Sequence, residues 1–297
     1  MNPLLLSFES VTGVPESVGL IFVFLFGCAI GSFLNVVIYR VPLERSVVYP
    51  NSACPGCSTA IKPYDNIPVL SWLFLGGKCR SCKTSISIRY PAVELLTGLI
   101  FLLIAWQMGF SAFLPIALIF GAVMTALVFI DADHMILPNA ITYPFFVFAV
   151  IVRIVYPFAF GAGYFSDMYF APVTWLGEWP SWASSLFGGV LGALAGGGSL
   201  WLIGEIWRRA RGVDAMGMGD VKMMLGVGML LGWRLSFLTI FIAAFFGALV
   251  GVVILSRQKN KDLQAQIPFG VFLGPASVAA MLFGEQLIGW YIRTFVP

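Results

Sequence analysis

Residues 113–133 read FLPIALIFGAVMTALVFIDAD, eighteen residues without a charge and then two aspartates, Asp131 and Asp133. As an α-helix, eighteen residues rise about 27 Å, close to the roughly 30 Å hydrocarbon core of a bilayer. Comparable apolar runs lie near Val18 to Ile38, Ala92 to Gln107, Ile141 to Phe160, Ala183 to Ile206, Val221 to Trp233, Leu235 to Leu255 and Phe269 to Trp290. Hydrophobic residues make up 59% of the 297 and charged residues only 10%, a balance that a soluble globule with a polar surface does not carry. The expected fold is an all-α polytopic membrane protein with about eight transmembrane helices, the sixth unusually short. Residues 1–40 read as an N-terminal segment and first span, 41–90 as a loop domain, and 91–297 as a transmembrane core.

Lys and Arg set the expected orientation. Arg40 to Arg89 contributes seven, Arg208 to Arg211 three, Lys222 one and Arg257 to Lys261 three, and these fourteen fall on one side. Arg153, Arg234 and Arg293 are left for the other, so the first side is cytoplasmic and both termini face outward. The inner membrane is the expected location. The first residues lack a basic n-region and carry Glu9 and Glu16, so the first apolar run reads as a retained span, not a cleaved signal. A net charge of +3 points to no nucleic-acid partner. The outward segment 161–182, with Tyr164, Tyr169, Trp175, Trp179 and Trp182 beside Asp167 and Glu178, reads as an aromatic belt. Gly188, Gly192 and Gly196 read as a small-residue packing face of the fifth span.

In the long loop, Cys54-Pro55-Gly56-Cys57 and Cys79-Arg80-Ser81-Cys82 stand 21 residues apart. Two such turns each present a pair of thiolates, and four sulfurs fill the tetrahedron of a structural zinc ion. A reducing cytoplasm disfavours disulfides, and no thioredoxin-like context supports a redox dithiol. Cys28 stands apart in the first span as a small packed thiol.

A carboxylate in or at the edge of a span costs several kcal/mol and is a functional candidate by default. Asp131 and Asp133 end the third span, Asp220 opens the sixth in Gly217-Met218-Gly219-Asp220-Val221-Lys222, and Glu94 starts the second. Two neighbouring carboxylates cannot both ionise comfortably; one stays protonated while the other activates water. Positions 131 and 133 point about 200° apart on a helix, so at most one faces Asp220. The bland alternative makes Asp131 and Asp133 helix-end groups and pairs Asp220 with Lys222. Glycines 217 and 219 clear room beside Asp220 for the backbone of a substrate or of another helix. His134 is the only histidine, which leaves a Ser or Cys nucleophile without a partner base, and the H-E-x-x-H pattern is absent.

Six ordered segments resemble the signatures of bacterial type IV prepilin peptidases: Gly27 to Arg40, the paired cysteine knuckles, Arg89-Tyr90-Pro91 with Val93-Glu94-Leu95, Asp131 to Asn139, Gly217-Met218-Gly219-Asp220, and Pro268-Phe269-Gly270. The resemblance runs across nearly the whole chain. It implies an aspartic endopeptidase with Asp131 and Asp220 as the catalytic pair and zinc on Cys54, Cys57, Cys79 and Cys82. Its implied substrates are prepilins and pseudopilins, whose basic leader is removed at the cytoplasmic face. It further implies methylation of the new N-terminus from S-adenosylmethionine, although no Rossmann-type methyltransferase signature is present. In the last signature Val271 stands where a second proline often follows the glycine. The alternatives are a multi-span transporter, against which the one-sided carboxylates and the lack of paired repeats speak, and an assembly protein that docks through the cysteine loop.

Overall fold

The computed structural model of the chain describes residues 9, 13–160, 179–213, 216–257 and 268–295. Its main helices are α1 (Glu16–Arg40), α2 (Arg89–Met108), α3 (Leu114–His134) and α4 (Asn139–Phe160). There follow α5 (Ser181–Ala193), α6 (Ser199–Arg211), α7 (Met218–Leu231), α8 (Trp233–Arg257) and α9 (Gly270–Phe295). One π-helical turn, Leu194–Gly198, joins α5 to α6 as a single rod. Among the described residues only isolated antiparallel bridges occur, and no named strand. Among the described residues, seven helices are long and apolar enough to cross a membrane. The eighth, α7, has 14 residues, so the expected count of about eight holds with the sixth as the short one.

Chain termination is local. Gly109, Gly212 and Gly232 follow α2, α6 and α7 with φ of 64°, 71° and 83°, a conformation that glycine adopts without a side-chain penalty.

The chain packs as two compact units, 1–126 and 127–297. In the first, α1 lies against α2 through small residues: a Cβ on Gly31 would stand 2.7 Å from the Glu94 Cα, and one on Gly98 would meet the buried Cys28 sulfur. Cys28 is thus a packed thiol, as expected, and Asn35 Nδ2 donates to the Tyr90 carbonyl at 3.1 Å.

In the second unit α7 is the centre. Met223, Met224, Val227, Leu230 and Leu231 are almost wholly buried among α4, α5, α8 and α9. A helix enclosed by protein has no lipid face and need not match the bilayer's thickness, which is the physical reason for the short apolar run. The glycine face is real but shifted by one residue. Gly192 meets the Gly228 backbone and Gly196 the Met224 carbonyl, whereas the third member is Gly189; Gly188 has only Arg153 Nη1 near it, at 3.5 Å. Arg153, counted above among the outward charges, is fully buried within this unit.

Trp179 and Trp182 are exposed, with Trp179 edge-on to Phe187. Tyr164, Tyr169, Trp175, Asp167, Glu178, Lys259 and Lys261 lie outside the described residues.

Candidate functional site

Asp131 sits in the last turn of α3 and Asp220 in the first turn of α7, and both are buried, at 5% and 8% exposure. Asp133, two residues on, is exposed, as the 200° offset requires. Leu137 packs beside both Gly219, the neighbour of Asp220, and Gly270, which meets Asp131, so the fold brings the two buried carboxylates to one place and leaves Asp133 out.

Each carboxylate is set at a helix N-terminus, where unpaired N–H groups favour negative charge. Gly217 N–H donates to the Asp220 carboxylate, and Asp220 N–H returns a bond to the Gly217 carbonyl at 3.1 Å. The backbone N–H groups of Gly270 and Val271, which open α9, face Asp131. Among the described residues the Asp131 Oδ2 atom is nevertheless buried without a hydrogen-bond partner. An orphaned carboxylate oxygen in the protein interior calls for a proton or a water, and both are reactants in amide hydrolysis.

Close packing maintains this arrangement. A Cβ on Gly270 would stand 2.7 Å from Asp131 Oδ2, and the buried Leu137 fills the space beside both Gly270 and Gly219. At Gly219 a Cβ would stand 2.9 Å from the Leu137 Cβ. The room cleared by that glycine is therefore taken by the chain's own leucine, not left for substrate. Gly217 differs: among the described residues, a Cβ there meets no side chain but Asp220, at 3.4 Å. Lys222 does not pair with Asp220. Its Nζ donates to Asn139 Oδ1 at 2.8 Å and lies 5.2 Å from the Tyr143 ring centre.

In the first unit the two cysteine knuckles are copies of one another. Antiparallel bridges Ala53 to Ala60 and Lys78 to Ser85 close them, and Ser58 and Lys83 take equivalent positive φ values of 55° and 58°. Cys54 N–H donates to the Thr59 carbonyl, and Cys79 N–H to that of Thr84. All four thiols are free, and their sulfurs lie within 4.8 Å of one another. The Cys54 and Cys82 sulfurs are 3.7 Å apart, close to the roughly 3.8 Å edge of a tetrahedron with 2.3 Å metal–sulfur bonds. The donor set fits a metal ion.

The surroundings favour thiolate at Cys82 and Cys79 and the neutral thiol at Cys54. The Thr84 hydroxyl and then its backbone lower Cys82 to about 6. Backbone N–H groups of Cys82 and Ser81 lower Cys79. Cys54 receives N–H groups from Gly56 and Cys57 but, beside Cys79 and Cys82, is the last to ionise and is pushed up to about 11. The loop is braced by the fork of Arg80 on Asp65, which holds that carboxyl below its usual range.

Glu94 belongs to the first unit. Buried on α2, it accepts the Val69 N–H at 2.7 Å and interacts with Ser32. Val69 has φ 62° and ψ −51°, with Leu70 N–H bonded to the Pro68 carbonyl, a strained three-residue turn for a β-branched residue. Glu94 thus pins the loop to the helix pair and is a structural latch. Sequence reasoning overlooked Gly270, Leu137 and Arg153 as parts of the second unit's interior; for Gly270 the signal was its place in the last signature.

Residues 25–108 match the Bacterial Peptidase A24 N-terminal domain, and residues 118–252 match the Type IV leader peptidase family. The chain is 35% identical over 292 residues to a prepilin leader peptidase/N-methyltransferase of Pseudomonas aeruginosa, covering 91% of this chain and 92% of that one. It is 34% identical to one of Aeromonas hydrophila, covering 92% and 94%. With one of Neisseria gonorrhoeae it shares 36% over 79% of this chain and 82% of that one. No solved structure matches it.

Proposed function

The chain belongs to the type IV leader peptidase family, and from that footing we propose that it is an intramembrane aspartic endopeptidase that also N-methylates its product. The substrates in this reading are prepilins and pseudopilins, cut at the cytoplasmic face of the inner membrane. The observation that carries it is the pair of buried carboxylates, Asp220 in the first turn of α7 and Asp131 against the first turn of α9.

The chemistry follows from that pairing. Side by side, the two groups share one proton at the working pH. The ionised carboxylate takes a proton from water as the oxygen attacks the scissile carbonyl, while the protonated one hydrogen-bonds the carbonyl oxygen. On collapse the C–N bond breaks and a proton passes to the departing amine. A pilin precursor carries an apolar helix behind a short basic leader. Its helix can lie among the spans while the leader stays in water, which places the bond between them near the ends of α3 and α7.

S-Adenosylmethionine supplies an electrophilic methyl group for the freed amine. In this reading the functional segments are 1–40, 41–90 and 91–297, and the distribution of Lys and Arg supports a cytoplasmic side for residues 41–90 with both termini outward. Incubation of purified protein with a prepilin and S-adenosylmethionine is expected to yield a product lighter by the leader and heavier by one methyl. An unchanged precursor mass sinks the reading.

The cysteine cluster in this reading holds structural Zn²⁺ through Cys54, Cys57, Cys79 and Cys82, with no open position for a reactant. Metal analysis is expected to find one zinc per chain, lost in the double variant Cys57→Ser, Cys82→Ser. Leader cleavage is expected to survive mild chelation, because the carboxylates need no metal. Purified protein without zinc, or with disulfides at these positions, refutes the assignment.

A further inference from the structure

α7 poses a problem that its own sequence does not solve. Its 14 residues rise only about 21 Å, roughly 9 Å less than the hydrocarbon core. The last carbonyls of a helix have no partner within it, and in a membrane interior water is not at hand to serve them.

Arg153 meets this need from α4. Its Nε donates to the Met229 carbonyl at 2.7 Å and its Nη2 to that of Leu230 at 3.3 Å, both in the final turn of α7. The remaining arm, Nη1, donates to the Ser185 carbonyl on α5 at 3.0 Å. A guanidinium is a rigid planar fork, so three bonds to two helices fix distance and rotation together. Its positive charge lies at the negative end of the α7 dipole. The site is shaped for it: a Cβ on Gly189 would stand 3.1 Å from the Arg153 Nε.

The other end of α7 is tied to the same helix, α4, through Lys222 and Asn139, and that end carries Asp220. Nine residues separate Asp220 from Met229, about 14 Å along a stiff rod, so a displacement at one end reaches the other undiminished. We propose that Arg153 is a positioning residue for the peptidase reaction: it sets the height and rotation of α7 and so holds the Asp220 carboxylate in register with Asp131. The inference rests on the reading of Asp131 and Asp220 as the reacting pair.

The test compares Arg153→Met, which keeps the stem and removes the fork, and Arg153→Lys, which keeps the charge, with the unaltered enzyme. Folding is checked by elution profile and thermal midpoint, and kcat, KM and the pH dependence of kcat are measured on a prepilin. Folded Arg153→Met is expected to lose about 100-fold in kcat, the scale of a misplacement near 1 Å, with KM within about threefold. The limbs of its pH profile are expected to move, since the spacing of two carboxylates governs their shared proton. Arg153→Lys is expected to fall between the two.

A folded Arg153→Met enzyme with unaltered kcat and pH profile overturns the proposal. So does failure of both variants to fold, or fewer active molecules with an unmoved pH profile, since either makes Arg153 a folding residue only. Asp131→Asn and Asp220→Asn, assayed alongside, separate the two claims. If either cleaves normally, the reading of the pair fails; if both are dead while Arg153→Met is normal, only this inference does.

Discussion

Asp131→Asn and Asp220→Asn are each expected to lower leader cleavage by at least about a thousandfold, the scale of losing a positioned acid or base. The amide is nearly isosteric with the carboxylate, so neither variant opens a cavity, and the helix N-termini at Gly217 and Gly270 keep an acceptor. What is lost is the shared proton. Neither group acts alone in the proposed reaction, so the double variant is expected to be no worse than either single one, the non-additivity of residues that act as a unit. Asp133→Asn is the control. Its side chain is exposed at the same helix end, and it is expected to stay within about twofold, as a surface change outside the reacting pair. The rates are to be measured on a prepilin in detergent with purified enzyme. A dead Asp133→Asn beside an active Asp131→Asn would exchange their roles, and normal cleavage by both Asp131→Asn and Asp220→Asn would end the aspartic reading.

Gly270→Ala is expected to be nearly as damaging, without touching a titratable group. The added Cβ would stand 2.7 Å from Asp131 Oδ2, 3.1 Å from its Cγ and 3.3 Å from Leu137 Cδ1. The first distance is shorter than any ordinary contact of carbon with oxygen, so the carboxylate or the start of α9 must move. Asp131 cannot retreat easily, because it lies in a buried turn of α3. A shift of about 1 Å between reacting groups costs on the order of 100-fold, and that loss is the expected result, with elution profile and metal content unchanged. Gly217→Ala tests the contrast. Its Cβ would meet Asp220 Oδ2 at 3.4 Å, an ordinary contact, and it is expected to lose about tenfold at most, well below the misplacement scale. Equal activity of Gly270→Ala and the unaltered enzyme would show that α9 does not press on Asp131.

Much of this architecture was legible in the primary structure, because a bilayer makes few demands and each leaves a mark. A spanning helix must be apolar all round, so its presence is read from composition without any knowledge of its neighbours. The knuckles were legible for a similar reason. Two cysteines separated by two residues can ligate one ion only through a tight local turn, and local geometry is what short spacing encodes. The offset between Asp131 and Asp133 is likewise set by helix pitch, which allowed at most one of them to face Asp220; the resemblance, not the pitch, named Asp131.

Contacts between distant segments were not legible. The room beside Gly219 read as space for the backbone of a substrate or of another helix and is filled by the Leu137 side chain, because a glycine reports that something approaches and not what does. Arg153 counted as an outward charge, since Lys and Arg near a span's end obey a statistical rule of sidedness. Its guanidinium instead serves Met229 and Leu230, 76 and 77 residues further along, and no local pattern marks a carbonyl acceptor because every residue has one.

The sequence by itself determined which stretches are long and apolar enough to cross a membrane, that four cysteines gather about one point, and that Asp131 and Asp220 end and begin helices. Tertiary structure alone decided that α7 is enclosed, that α9 begins against Asp131, and that an arginine on α4 closes the far end of the helix carrying Asp220. The division follows from physics: solvation and helix pitch act on each residue where it stands, whereas packing depends on which surfaces meet, and that is settled only when the whole chain has folded.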